Sequence, residues 1–163
     1  MKIRYLRLFF AFLLVTGCDR ERSADPSINL VSSSACKKDL KVGTDQASDQ
    51  DCIRYSWLAG DTLSIKHVNA GFNCCPAGFR VELKVAGDTL VVTEAENSSQ
   101  CDCDCLFDLN YILTGVTKDT WWIRVSEPYV KQPDQKKILF KAELSKVAEG
   151  EICVTRTGYP WGL

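Results

Sequence analysis

The sequence predicts an all-β fold, an antiparallel β-sandwich of the immunoglobulin-like type stapled by disulfides. Three observations lead there. Apolar and polar residues alternate with period two in segment after segment, turn-forming residues separate those segments, and eight cysteines remain once an N-terminal one is set aside. About eight strands at this spacing suit two packed sheets.

From Ile53 onward the strands can be taken in order. Leu63, Ile65 and His67 alternate with Thr62, Ser64 and Lys66, and Phe79, Val81, Leu83 and Val85 alternate with Arg80, Glu82 and Lys84. Gly87-Asp88 separates this run from Leu90–Ala95, a hairpin signal in which glycine supplies the positive φ of a tight turn. Cys103 to Leu113 is the longest run, and Gly115 and polar residues then lead into Thr120–Ser126. There Trp121, Ile123 and Val125 form one face, with Trp122 and Arg124 on the other. Ile138, Phe140, Ala142 and Leu144 mark a further strand, and Ile152–Arg156 the last. The apolar run, glycine turn and aromatic strand of Leu109–Val125 resemble the strand–corner–strand of immunoglobulin-like bacterial modules.

The N-terminus reads as an export signal. Lys2, Arg4 and Arg7 precede the short apolar core Leu8–Val15, and Val15-Thr16-Gly17-Cys18 resembles a lipobox. That core is too short to span a bilayer, which takes roughly 20 apolar residues. The expectation is a signal peptide over residues 1–17 and lipidation of Cys18 by diacylglyceryl and acyl (palmitate-type) chains. Residues 18–35 would then be the lipidated cysteine and a flexible tether, and residues 36–163 a single domain. As a coil the tether would reach roughly 20–25 Å. These features place the chain in the bacterial cell envelope, lipid-anchored and facing the periplasm or exterior.

Composition narrows the partners. Residues 1–17 hold three basic and no acidic residues, so removing them from 20 Lys and Arg leaves 17 against 21 Asp and Glu, a net charge of −4. The basic residues are scattered, which excludes the concentrated positive face that nucleic acid requires. The membrane is the one partner expected; a protein or small-ligand partner is not specified.

Besides Cys18, the cysteines are Cys36, Cys52, Cys74, Cys75, Cys101, Cys103, Cys105 and Cys153. An even number in an oxidising compartment points to disulfides. Strand parity puts Cys101, Cys103 and Cys105 on the face of Phe107, Leu109 and Tyr111, toward the core if the strand starts early enough. Residues two apart on a strand lie roughly 6.6 Å apart, so each of the triplet should bridge to another segment. The preferred pairing joins Cys74 and Cys75 to two of the triplet. The third member and Cys153 then close loops with Cys36 or Cys52, and other connectivities stay open. The structural reading needs no cofactor. The alternative is a zinc or copper site built from His67, Cys74, Cys75, Cys101, Cys103 and Cys105.

His67, the only histidine, shares its strand face with Leu63 and Ile65. The expectation is a core histidine satisfied by a hydrogen bond, with Asn69 as candidate partner. No C-x-x-C, G-x-S-x-G, phosphate-binding glycine loop or H-E-x-x-H occurs, so the chain is not expected to be an enzyme.

His67-Val-Asn69, Phe72-Asn73-Cys74-Cys75-Pro76, Cys101-x-Cys103-x-Cys105-Leu106-Phe107-Asp108 and Cys153-Val-x-Arg156-x-x-Tyr159-Pro160-Trp161 resemble the motifs of a group of uncharacterised bacterial lipoproteins. The resemblance runs from about Cys52 to the C-terminus. It implies that the cysteines and the aromatic tail belong to one shared fold, and it implies no activity.

Overall fold

The computed structural model describes residues 25–37, 46–98, 101–130 and 135–161. The segment expected to be a signal peptide, Cys18 and the first part of the expected tether lie outside them. Among the described residues the chain forms nine strands: β1 (Ser27–Ser33), β2 (Gln50–Trp57), β3 (Leu63–Asn73), β4 (Phe79–Ala86), β5 (Thr89–Glu96), β6 (Asp104–Thr114), β7 (Thr120–Ser126), β8 (Ile138–Glu143) and β9 (Glu149–Thr155). One sheet has the order β1-β6-β3-β2-β9 and the other β4-β5-β7-β8. The disulfide-stapled β-sandwich is therefore the observed fold.

Alternation along each strand builds the core. Ile53 and Tyr55 on β2, Leu63 and Ile65 on β3, and Phe107, Leu109, Tyr111 and Leu113 on β6 face Leu90 and Val92 on β5, Ile123 and Val125 on β7, and Ile138 and Phe140 on β8. Each such side chain contributes roughly 1.5–3 kcal/mol on leaving water. Phe72, Phe79 and Phe107 meet edge-on, with centroids 4.8 to 6.3 Å apart.

Three expectations change. The Ser-rich segment taken for tether contains β1, which pairs with β6 from Ser27↔Thr114 to Ser33↔Leu109, so the domain begins before residue 36. Only Ile28 and Leu30 of β1 pack against the core, which is why its sequence reads as linker. The sheets are also not wholly antiparallel, because β5 and β7 pair in parallel. Finally, β6 starts at Asp104, so Cys105 alone of the triplet is a buried strand residue, while Cys101 and Cys103 lie in the preceding loop and Cys103 is exposed.

The two ends of the sandwich differ. At one, the hairpin end, lie the start of β1 and the turns β2–β3, β4–β5, β6–β7 and β8–β9. Gly87 makes the predicted β4–β5 turn with a φ of 62°. At the other lie all four disulfides: Cys36–Cys105, Cys52–Cys153, Cys74–Cys103 and Cys75–Cys101. Cys52 and Cys153 are opposed residues of β2 and β9. Cys74 and Cys75 take the two loop members of the triplet, and Cys105 and Cys153 bind Cys36 and Cys52.

Candidate functional site: a buried ion cluster

Near the disulfide end, five core stripes are each extended by a charged residue. Asp51 lies two positions before Ile53, His67 two after Ile65, Glu94 two after Val92, Glu127 two after Val125, and Arg156 two after Val154. The parity that points those apolar neighbours inward points these side chains inward too. They converge between the sheets, and the side chains of Asp51, His67 and Arg156 are 0% exposed and that of Glu127 2%.

His67 bridges the sheets. Its Nδ1 is 2.9 Å from both carboxylate oxygens of Glu94, and its Nε2 is 2.6 Å from Asp51 Oδ1. Arg156 donates from Nε to Asp51 Oδ2 at 2.7 Å, from the Nη2 amino group to Glu127 Oε2 at 2.6 Å, and from Nη1 to the carbonyl of Lys136. Glu127 Oε1 lies 3.8 Å from His67 Nε2 and has no hydrogen-bond partner. The Tyr111 hydroxyl is also sealed and lacks a hydrogen bond of standard geometry, and burial together with the nearby Glu94 carboxylate pushes its pKa well up.

Burial sets the protonation states. Burial alone would lower the His67 pKa, but the Glu94 and Asp51 carboxylates outweigh it and raise it well above the usual histidine value. Burial would raise Asp51, yet His67 and Arg156 bring it below the ordinary carboxylate value. For Glu127, burial and the adjacent Asp51 carboxylate raise the pKa well above normal. In the ion-free protein Glu127 is the proton-holding carboxyl of the group.

Asn69 and the C-terminal tail close the cluster. A bulge shifts the β3–β6 register between His67 and Ala70, and Asn69 within it has a φ of 65°. Asparagine tolerates this left-handed conformation better than most residues. Its side-chain amide donates to the carbonyls of Ala47 (2.9 Å) and Gln50 (2.7 Å), and its Oδ1 accepts from Lys37 at 2.9 Å. Its own carbonyl accepts from the Trp161 indole at 2.8 Å. The Trp161 ring lies 5.3 Å from the Arg156 guanidinium and rests on Gly71, where an added Cβ would sit 2.6 Å from the ring. Lys37 and Lys66 pair with Asp108 just outside.

The sequence placed His67 in the core but gave it the wrong partner, since two carboxylates hold it and Asn69 bonds elsewhere. The metal site of the alternative reading, His67 with Cys74, Cys75, Cys101, Cys103 and Cys105, is not assembled. All five cysteines are in disulfides and offer no thiolate, and His67 groups with Asp51 and Glu127. From the sequence, Asp51, Glu94 and Glu127 carry no assigned role and Arg156 is only a position of the tail motif, although each continues an inward stripe by one step. Compared with protein-family models, characterised proteins and solved structures, the chain has no match.

Proposed function

We propose that the chain is an exported lipoprotein, anchored through acyl groups on Cys18, that serves the bacterial envelope as a binding or structural module and not as a catalyst. The observation that carries this reading is the pairing of all eight remaining cysteines in four disulfides, the covalent signature of an oxidising compartment. The sealed state of the ion cluster supports the second half. A catalytic acid or base must come within hydrogen-bond reach of a reacting group, and His67 has no exposed atom to offer.

The reading also orients the domain. Only residues 19–26 separate Cys18 from β1, a reach of about 30 Å at full extension. β1 starts at the hairpin end, so that end lies toward the membrane and the disulfide end faces away, free to meet a partner.

Metabolic labelling with a fatty-acid analogue tests the anchor. The wild-type chain should be labelled and Cys18→Ala should not. An unlabelled wild type, or label that survives in Cys18→Ala, overturns the proposal. A denatured, unreduced sample should take up no thiol reagent in the mature domain, and labelled cysteines there would remove its support.

A further inference from the structure

The oxygens that Arg156 leaves unused converge on one point. Arg156 occupies Asp51 Oδ2 and Glu127 Oε2. The remaining oxygens, Asp51 Oδ1 and Glu127 Oε1, lie 2.6 and 3.8 Å from His67 Nε2, and the three residues each offer a donor atom within 4.8 Å of the others. We propose that Asp51 Oδ1, Glu127 Oε1 and His67 Nε2 form a site for a single divalent transition-metal ion.

Four further features fit that assignment. Glu127 Oε1 is a buried carboxyl oxygen without a hydrogen bond of standard geometry, and its carboxyl stands against that of Asp51, a pairing of buried oxygens whose desolvation cost a bound cation removes. Glu94 holds the far ring nitrogen of His67, the arrangement that fixes tautomer and ring orientation in metal-ligating histidines. With the Nδ1 proton directed at Glu94, the Nε2 lone pair faces Asp51 Oδ1 at 2.6 Å, a contact that a proton or a cation must occupy. Metal binding would displace the two protons that the ion-free cluster holds on Glu127 and His67, and the carboxylates of Asp51, Glu94 and Glu127 against Arg156 then leave an excess of two negative charges, the amount a dication cancels.

Donor chemistry narrows the ion. Two carboxylate oxygens and an imidazole suit zinc or manganese and disfavour copper(I), which seeks sulfur. Metal–ligand bonds of about 2.0–2.2 Å put neighbouring donors roughly 3–3.5 Å apart. The present separations of 2.6 and 3.8 Å from His67 Nε2 bracket that range, so small side-chain shifts would suffice. Glu127 also lines a cavity of about 300 Å³ with Ser126, Val130 and Lys137, so the sealed cluster lies behind the wall of that cavity and an ion would enter by displacement of the Glu127 side chain. Arg156 then grips the outer carboxylate oxygens and keeps the ligands in place. This site shares no residue with the disulfides, so it stands or falls apart from the lipoprotein reading.

The test uses the full oxidised chain, stripped with chelator and equilibrated overnight with zinc or manganese chloride. Bound metal is counted by elemental analysis, and affinity is measured by calorimetry. One equivalent should bind to the wild type and to Glu82→Gln, an exposed control on β4. Glu127→Gln preserves volume and removes the anionic donor, and should weaken binding roughly 10–100-fold or more. Its near-ultraviolet circular dichroism and blocked thiols establish that it is folded. Nitrogen NMR of His67 gives a second readout, in which the Nε2 resonance should move on metal addition while Nδ1 stays protonated. The proposal is overturned if the wild type takes up no stoichiometric metal, if folded Glu127→Gln binds as tightly as wild type, or if both ring nitrogens remain protonated with metal present.

Discussion

Arg156 and Asn69 show how much can rest on a single side chain. Arg156 is fully buried and serves Asp51, Glu127 and the Lys136 carbonyl at once. Substituting it by leucine would strand two carboxylates in the core, and breaking a buried ion group in this way costs about 3–5 kcal/mol. Urea unfolding of Arg156→Leu should show a loss of that size. Asn69→Ala removes both amide donors to the carbonyls of Ala47 and Gln50 and leaves alanine at a positive φ. The expected loss is about 2–4 kcal/mol, from unsatisfied carbonyls and backbone strain together.

The cluster also dictates a pH profile for the ion-free protein. His67 has a folded pKa raised above its ordinary 6.5, so its stabilisation is fully present below that value and is lost as pH rises through the folded pKa. Glu127, raised above 4.5, has the same sign, because the folded state holds a proton that the unfolded state has released. Asp51, lowered below 3.8, acts oppositely, and its contribution is lost only as pH falls through its folded value. Urea midpoints should therefore be highest near about pH 5 and fall toward pH 9. Glu127→Gln should flatten the early part of that fall. A midpoint that rises steadily from pH 5 to 8 would contradict these assignments.

At the level of elements, β1 and the C-terminal tail cover opposite parts of the five-stranded sheet. A chain begun at Cys36, where the sequence puts the domain boundary, would expose the β6 backbone that β1 pairs with. It would also lose the Ile28 and Leu30 contacts. That truncation should unfold at lower denaturant than a chain begun at residue 25, and bare edges of this kind favour aggregation. Gly71→Ala probes the tail. The new methyl cannot coexist with Trp161 in its present position, so the variant should lose roughly 1–3 kcal/mol and show a more exposed tryptophan emission.

The same elements explain what could be read in advance. β3 to β9 announce themselves by alternation because one face of each meets the core. β1 does not, since serines dominate a strand whose outer positions face water, and only Ile28 and Leu30 mark its inner face. The parallel pairing of β5 with β7 depends on contacts between segments far apart in sequence, which local pattern does not encode. The ion cluster was half visible. Asp51, Glu94, Glu127 and Arg156 each stand where a stripe would carry one more apolar residue, but a charge there looks like the end of a strand. Only the simultaneous occurrence on three strands and just past the ends of two others identifies a shared layer.

For the whole molecule, the uneven distribution of cross-links matters most. Removing a native disulfide from a small exported domain costs about 2–5 kcal/mol. Replacing both Cys36 and Cys105 by serine should produce a loss in that range, because this bridge ties the end of β1 to β6. Under the proposed orientation, the membrane-facing hairpin end is held by packing and hydrogen bonds, while the covalent staples gather at the far end with the ion cluster.

The Cys36–Cys105 bond has a mechanical consequence. A pull applied through an N-terminal anchor would act first on β1, whose ladder to β6 could unzip from Ser27 onward. Extension would then stop at Cys36, where the load passes by a covalent bond into Cys105 near the start of β6. From there it is shared through the bridges of the neighbouring loops and of β2 with β9. Under the proposed anchoring, a chain wired this way yields a short, reversible length of slack under tension and keeps its disulfide end intact.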